Sequence, residues 1–171
     1  MSKPESIIFF IDRCLGTGTV PEKLRHAGIQ VEIYDQHFGQ GTQDVDWLPE
    51  IGQRGWVVLT KDDRISRNKL ERIAVARAQI KMFILTSQDL KGEEMAEIFI
   101  KATEQMQKFV RKHPAPFIAK ISRDGKITSW KIGRNAAVLI MILTIFKCYK
   151  ADRISPISRL ALKIVVIARQ E

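Results

Sequence analysis

The sequence predicts an α/β fold with three layers and a mainly parallel sheet. Residues 7–11 and 56–59 form short apolar runs without alternation of apolar and polar side chains, which is typical of strands buried on both faces. Helical patterns alternate with these short strands along residues 1–116, as in the β-α-β units of a parallel sheet. A turn signal at residues 123–126 then predicts a terminal hairpin between strands.

The first strand, residues 7–11, is followed by a glycine-containing loop and a helix. Thr19 is suited to cap this helix, and Pro21 is tolerated in its first turn. Gly28 is suited to the position just after its end. Residues 31–33 alternate between apolar and polar side chains, so they predict a half-buried second strand.

A second helix is predicted to begin near Asp46, because Pro49 is acceptable only in the first helical turn. Asp46 is then the expected N-cap, and Gly52 or Gly55 ends the helix. The buried strand at residues 56–59 follows directly.

The second half of the chain predicts two helices, a strand between them and a hairpin. The first helix spans residues 64–79, and the strand spans residues 82–86. The second helix spans residues 92–111 and keeps its apolar residues at a period of 3.6 throughout. The hairpin pairs residues 117–121 with residues 127–130. The residues of the first helix that are expected to face the core are Leu70, Ile73, Ala74 and Ala78.

The composition predicts a globular domain with a polyanionic partner. Of the 171 residues, 45% are hydrophobic and 27% are charged, and the net charge is +9. A strongly basic protein favours partners such as nucleic acid, although charge does not determine fold. Residues 131–171 hold eight Lys or Arg against two acidic residues, so much of the excess lies in this segment.

Two cysteines, Cys14 and Cys148, provide neither a disulfide framework nor a zinc site, so a reducing compartment is expected. The N-terminal apolar run has five residues before Asp12, too few for a signal peptide. No apolar run reaches the roughly 18 residues of a membrane span. We therefore expect a cytoplasmic protein without an integral membrane span.

Four aspartates are the candidate catalytic residues, because two of the predicted strands run into acidic side chains. Asp12 follows the first strand, and Asp62 and Asp63 follow the strand at residues 56–59. Asp44, or its rival Asp46, is the fourth. Open α/β sheets bind ligands at the carboxyl ends of their strands, and clustered carboxylates favour Mg²⁺ or Mn²⁺. The alternative is that each aspartate only caps a helix or forms a turn.

The chain resembles the PIN-like domain family, and within it the VapC-type toxins, with a more distant similarity to the RNase domain of Mut7-C proteins. Matching stretches lie at residues 10–16, 24–28, 44–48 and 55–62, and the resemblance covers roughly residues 5–130. It implies an RNase H-like sheet and an acidic Mg²⁺ (or Mn²⁺) site that cleaves RNA. It also implies an antitoxin protein as partner, and a homodimer.

The resemblance assigns the metal-binding roles to Asp12, Asp44 and Asp62, with Asp46 as the rival of Asp44. Asp62 belongs to the Thr-x-Asp motif that follows the strand at residues 56–59. Many relatives carry a further acid a few positions later. Here the nearest further acid is Asp63, immediately adjacent, which departs from that pattern.

Five residues near the acids are candidates to contact RNA. Arg13 and Lys61 adjoin aspartates, while Thr60 can orient Asp62, touch a phosphate or cap the turn. The arginine-bearing face of the helix at residues 64–79 can follow an RNA backbone, although charge runs are usually solvated faces. The full set of candidates is Arg13, Thr60, Lys61, Arg64 and Arg67.

Two other functions stay open. One is a catalytically incomplete PIN-like scaffold that binds RNA or a protein partner, which the adjacent pair Asp62 and Asp63 favours. The other is a receiver-like signalling domain, but such domains carry an acid pair at the first strand, where this chain has Asp12 alone.

We expect two parts of the chain, a PIN-like domain at residues 1–130 and a C-terminal extension at residues 131–171. The extension is apolar over residues 136–146 and without clear period. It can be an extra core element, a partner-binding helix, a basic membrane-surface segment or a frameshifted or read-through end.

Overall fold

The computed structural model describes residues 6–130, which form one sheet with helices on both faces. The predicted extension at residues 131–171 lies outside the described residues. No helix among residues 6–130 is long and apolar enough to cross a membrane. The strands are β1 (Phe9–Ile11), β2 (Val31–Ile33), β3 (Val57–Thr60), β4 (Lys81–Leu85), β5 (Phe117–Ile121) and β6 (Ile127–Trp130). The α-helices are α1 (Thr19–His26), α2 (Asp44–Arg54), α3 (Arg64–Arg67), α4 (Lys69–Arg77) and α5 (Gly92–Lys112).

The six strands lie in the order β2-β1-β3-β4-β5-β6. All neighbouring pairs are parallel except β5 and β6, which form the antiparallel hairpin. The predicted α/β fold with a mainly parallel sheet is therefore confirmed. Ile11 of β1 lies beside Leu59 of β3, so these two strands end side by side.

Alternate residues of the strands pack into two separate cores, one on each face of the sheet. Phe9 and Ile11 join a core with Leu24 of α1 and Phe99 of α5. Phe10 points the other way and packs in a second core that contains Leu48 of α2. Burial on both faces explains why the strands read as continuous apolar runs.

The prediction of one continuous helix at residues 64–79 is wrong, because the structure has two helices there, separated at Asn68. Asn68 has an extended backbone, and its side chain accepts a hydrogen bond from the backbone N–H of Leu70, which caps α4. The break changes which residues face inward. Leu70, predicted to lie in the core, is 74% exposed, whereas Val75 and Ala76 are buried.

The N-cap of helix α2 lies three residues earlier than predicted. Gln43 is its N-cap, Asp44 and Asp46 lie in its first turn, and Pro49 lies inside the helix. The expectation that Asp46 caps the helix is therefore wrong. Proline lacks an N–H, so the interior of α2 loses one hydrogen bond. Gly55 ends α2 with a φ of 70°, a conformation that glycine adopts at little cost.

Candidate acidic site

Asp12 and Thr60 meet at the carboxyl edge of the sheet. Asp12 directly follows β1, and its backbone N–H donates to the carbonyl oxygen of Leu59 at 3.0 Å. Thr60 is the last residue of β3 and is fully buried. Two residues before them, Phe10 and Val58 face the core that contains α2, so the strand alternation directs Asp12 and Thr60 to the same side.

Two donors hold one oxygen of the Asp12 carboxylate. The hydroxyl of Thr60 donates to Oδ2 at 2.7 Å, and the Cys14 thiol donates to the same atom at 3.0 Å. Among the described residues no donor reaches Oδ1. Asp12 is only 8% exposed. Burial raises the pKa of Asp12, and the two hydrogen bonds, which favour the charged form, counteract this rise.

Asp44, the first residue of helix α2, lies within electrostatic reach of Asp12. The negative charge of Asp44 contributes to the raised pKa of Asp12, so the two carboxylates repel each other. The indole N–H of Trp47 donates to Oδ1 of Asp44 at 3.0 Å and fixes its side chain. Asp46, the rival candidate, is exposed.

Asp62 is tied to Asp12 through Thr60. The backbone N–H of Asp62 donates to Oγ1 of Thr60 at 3.0 Å, while that hydroxyl donates to Asp12. The carboxylate of Asp62 is engaged by Arg64, whose Nε donates at 3.0 Å and 3.1 Å to the two oxygens. The Arg64 hydrogen bonds hold the pKa of Asp62 below its usual range.

Asp63 lies in a different network from the other three aspartates. Its carboxylate accepts from Ser66 and forms ion pairs with Arg67 and Lys120, each at 2.7 Å. Burial raises the pKa of Asp63, but these donors outweigh that effect and bring it to about 2. Within residues 6–130, Asp63 makes no hydrogen bond with Asp12, Asp44 or Asp62. Through its ion pair with Lys120, it links the turn after β3 to strand β5.

The predicted RNA contacts divide into accessible and inaccessible groups. Arg13 is exposed, and its guanidinium lies 5.6 Å from the ring centroid of Tyr34. Lys61 is half-buried, with its backbone N–H 3.3 Å from Sγ of Cys14. Thr60 is fully buried with its hydroxyl engaged by Asp12 and Asp62. The structure thus has Thr60 bonded to Asp12 and Asp62, and a contact of Thr60 with an RNA phosphate stays a prediction.

The other two candidates, Arg64 and Arg67, are exposed but paired with neighbouring acids. Arg64 pairs with Asp62, and Arg67 pairs with Asp63. In each pair Nε and Nη2 of the guanidinium are engaged by the carboxylate, so a two-pronged contact with a phosphate through these atoms requires that the pair opens.

The carboxylate oxygens at this edge are of the type that binds a hard divalent cation, which typically takes one or two carboxylates together with water. Asp12 offers Oδ1, and Asp44 lies close enough for its charge to act on Asp12. A cation between two such carboxylates relieves their repulsion. Within residues 6–130, however, no three His, Cys, Asp or Glu side chains lie close enough together to hold a metal ion. Two carboxylates completed by water match a ligand set that Mg²⁺ accepts, so Asp12 and Asp44 are the candidate metal ligands, while Asp62 is held by Arg64.

Comparison with known proteins places this chain in a family. The model of a family described as a PIN-like domain matches residues 7–87, a span that contains Asp12, Asp44 and Asp62. A protein of Mycobacterium tuberculosis named "Putative ribonuclease VapC45" is 32% identical over 113 residues, which cover 64% of this chain and 81% of that protein. The chain belongs to the PIN-like domain family. The VapC-type resemblance predicted from the sequence is thereby confirmed. No solved structure matches the chain.

Three residues that contact the candidate aspartates of this PIN-like domain were not predicted as part of the site. Trp47 lies three positions after Asp44 on α2, a spacing that places two side chains on one helix face. Cys14 lies two positions after Asp12. Lys120 has no such signal, because it reaches Asp63 from strand β5 across 57 positions of sequence.

Proposed function

We propose that this chain is a metal-dependent ribonuclease that hydrolyses RNA phosphodiester bonds. We further propose that it is the toxin-like component of a toxin–antitoxin pair. Membership of the PIN-like family and similarity to a protein named as a ribonuclease support this function. The observation that carries it is the buried Asp12, held by Thr60 and facing the charge of Asp44 at the carboxyl edge of the sheet.

Asp12 and Asp44 are the residues that would hold Mg²⁺ or Mn²⁺, with Asp62 as a third ligand once its carboxylate is released from Arg64. A divalent cation bound at such a site supplies activation of water and stabilisation of the leaving oxygen in phosphodiester hydrolysis. The role proposed for Asp63 is structural, because its carboxylate is already engaged by Ser66, Arg67 and Lys120.

The surrounding residues of the chain hold the two acids and attract the substrate. Thr60 and Cys14 fix the orientation of Asp12, and Trp47 fixes that of Asp44. Such outer-shell hydrogen bonds keep metal ligands in place before the cation arrives. The proposed phosphate contact is Arg13, which is exposed and adjacent to Asp12, and charge-assisted contacts of this kind depend on salt.

The test is cleavage of a mixed pool of structured RNAs by the purified full chain in Mg²⁺ or Mn²⁺, compared with EDTA. We expect cleavage only with the metal. Asp12→Asn and Asp44→Asn should each lower the rate more than about a hundredfold, since outer-shell partners alone account for about 10–100-fold. Asp46→Asn tests the rival ligand, an exposed aspartate of the same helix: we expect an unchanged rate, and a loss in Asp46→Asn but not in Asp44→Asn would assign the role to Asp46. Cleavage in EDTA, or undiminished cleavage by Asp12→Asn, would contradict the proposal.

A catalytically incomplete scaffold is the second candidate, and the ion pairs at the site favour it. Asp62 and Asp63 are both engaged by basic side chains. Within residues 6–130, no three metal-ligating side chains lie close enough together to hold one ion. A scaffold would bind RNA equally well with Asp12→Asn, with or without Mn²⁺, and would cut nothing. RNA binding followed by fluorescence anisotropy, together with the cleavage assay, separates the two candidates.

An antitoxin protein and a homodimer complete the proposal. Both follow from the VapC-type resemblance rather than from a contact of the described residues. Light scattering of the purified chain measures whether it is a dimer. Co-purification with the product of a neighbouring reading frame tests the antitoxin, and the proposal expects that the bound partner suppresses cleavage.

A further inference from the structure

Arg64 binds the carboxylate of Asp62, which the proposed function assigns to a divalent cation. The side chain of Arg64 donates to Oδ2 of Asp62 through Nη2 at 2.6 Å and through Nε at 3.1 Å, and to Oδ1 through Nε at 3.0 Å. Both oxygens therefore accept hydrogen bonds from one guanidinium. This two-pronged contact is the geometry in which arginine binds carboxylates most strongly.

The pair is built so that Arg64 can leave without disturbing the backbone. Its side chain is 86% exposed, whereas that of Asp62 is 25% exposed. Water and salt compete for a guanidinium that is this exposed, so the Arg64 side chain can exchange even though its contact with Asp62 is two-pronged. Asp62 keeps two other anchors: its N–H donates to Thr60, and its Oδ1 accepts from the backbone N–H of Arg64 at 2.9 Å. A carboxylate freed from the guanidinium therefore stays attached to the turn and, through Thr60, to Asp12.

The guanidinium of Arg64 also brings a positive charge to the acidic edge, directly beside the carboxylate of Asp62. It thus partly neutralises one of the acids that the proposed function assigns to metal binding. A cation that approaches this edge meets both a competitor for Asp62 and an adjacent positive charge.

We propose that Arg64 is an exchangeable internal counter-ion, which holds Asp62 in the free protein and must release it before Asp62 can bind a divalent cation. This inference rests on the proposed function for the presence of a cation at the acidic edge. The released guanidinium is suited to a phosphate oxygen of RNA, because its fork matches phosphate as well as carboxylate.

Arg67 provides a matched control on the same short helix. It is 79% exposed and makes a similar contact with the neighbouring acid Asp63. Removing Arg67 changes the net charge by the same amount as removing Arg64, but leaves Asp62 engaged. A difference between the two variants therefore reports the specific contact and not the general loss of a positive charge.

The experiment is titration of the full chain with Mn²⁺ by isothermal calorimetry, for wild type, Arg64→Gln, Arg64→Lys and Arg67→Gln. We expect Arg64→Gln to bind Mn²⁺ about three- to fivefold more tightly, which corresponds to the loss of a competing exposed ion pair. Arg64→Lys should lie between wild type and Arg64→Gln, because lysine keeps the charge without the fork. Arg67→Gln should differ from wild type by less than about twofold. Thermal melting verifies that each variant is folded.

Two results would overturn the inference, and they differ in what they say about the proposed function. Equal Mn²⁺ affinities for wild type and Arg64→Gln, both lost in Asp12→Asn, would remove the role of Arg64 and leave the metal site intact. Absence of Mn²⁺ binding in wild type and in Arg64→Gln alike would remove both proposals. Binding by Arg64→Gln but not by wild type would support the inference in its strongest form.

Discussion

Replacing Thr60 by valine tests how the acidic edge is held together. Valine keeps the shape of threonine but removes the hydroxyl that joins two acids of the site. In the native protein this hydroxyl donates to Oδ2 of Asp12 at 2.7 Å and accepts from the N–H of Asp62 at 3.0 Å. Because Thr60 is fully buried, water cannot replace these hydrogen bonds without rearrangement of the edge.

The expected loss of stability follows from these two hydrogen bonds. A hydrogen bond to a charged group contributes about 1.5–3 kcal/mol and a neutral one about 0.5–1.5 kcal/mol. We therefore expect Thr60→Val to lower the free energy of unfolding by about 2–4 kcal/mol at neutral pH. Domains of this size are typically stable by about 5–15 kcal/mol, so the variant should remain folded. Its cleavage rate should fall about 10–100-fold, as for other outer-shell partners.

Urea denaturation followed by circular dichroism measures this loss, with Thr86→Val as the control. Thr86 is an exposed threonine whose hydroxyl donates to the carbonyl oxygen of Ile121 at 3.1 Å, so its replacement should cost less than about 1 kcal/mol. The Thr60 effect should shrink as the pH falls through the pKa of Asp12, because a protonated carboxyl loses the charge-assisted bond. Equal costs for both variants, or a Thr60 effect independent of pH, would refute the reasoning.

Three further predictions concern stability and are checked by the same denaturation experiments. Asp12→Asn should be more stable than wild type at pH 8, by a margin that narrows toward pH 4, because burial raises the pKa of Asp12 and disfavours its charge. Asp63→Asn should cost about 1–3 kcal/mol at pH 7. That cost should vanish toward pH 2, because the lowered pKa of Asp63 adds stability only above its folded value of about 2. Gly52→Ala should be destabilising by about 1–3 kcal/mol, because its Cβ would overlap the carbonyl oxygen of Ala78, whereas Gly39→Ala meets no atom within 4 Å and should be neutral. Three results would contradict these predictions: a wild type more stable than Asp12→Asn at pH 8, an Asp63→Asn variant as stable as wild type at pH 7, and a larger loss for Gly39→Ala than for Gly52→Ala.

The parts of the fold that the sequence predicted well are those with strong local patterns. Strand β3 and helix α5 follow from an apolar run and from a sustained period of 3.6, and the structure has them within one residue of the predicted ends. The position of Asp12 at a strand end was also predictable, because parallel strands end at one edge of the sheet. The sequence-based resemblance then identified the family.

The features of the fold and the site that the sequence did not predict depend on individual side-chain contacts, which the periodicity of apolar residues does not reveal. Asn68 interrupts an otherwise helical run because its side chain bonds to the backbone of Leu70, which turns Leu70 to solvent. The contact of Thr60 with Asp12 joins residues 48 positions apart. Arg64 lies only two positions from Asp62, yet its pairing depends on side-chain rotamers. Periodicity carries no information about such contacts.

The central claim is that Asp12 and Asp44 together bind a divalent cation, and anomalous diffraction from crystals soaked in Mn²⁺ tests it most directly. We predict a Mn²⁺ peak in contact with carboxylate oxygens of both residues, and its loss in crystals of Asp12→Asn. A map in which both side chains are ordered and no Mn²⁺ peak lies beside them would contradict the account and favour the scaffold.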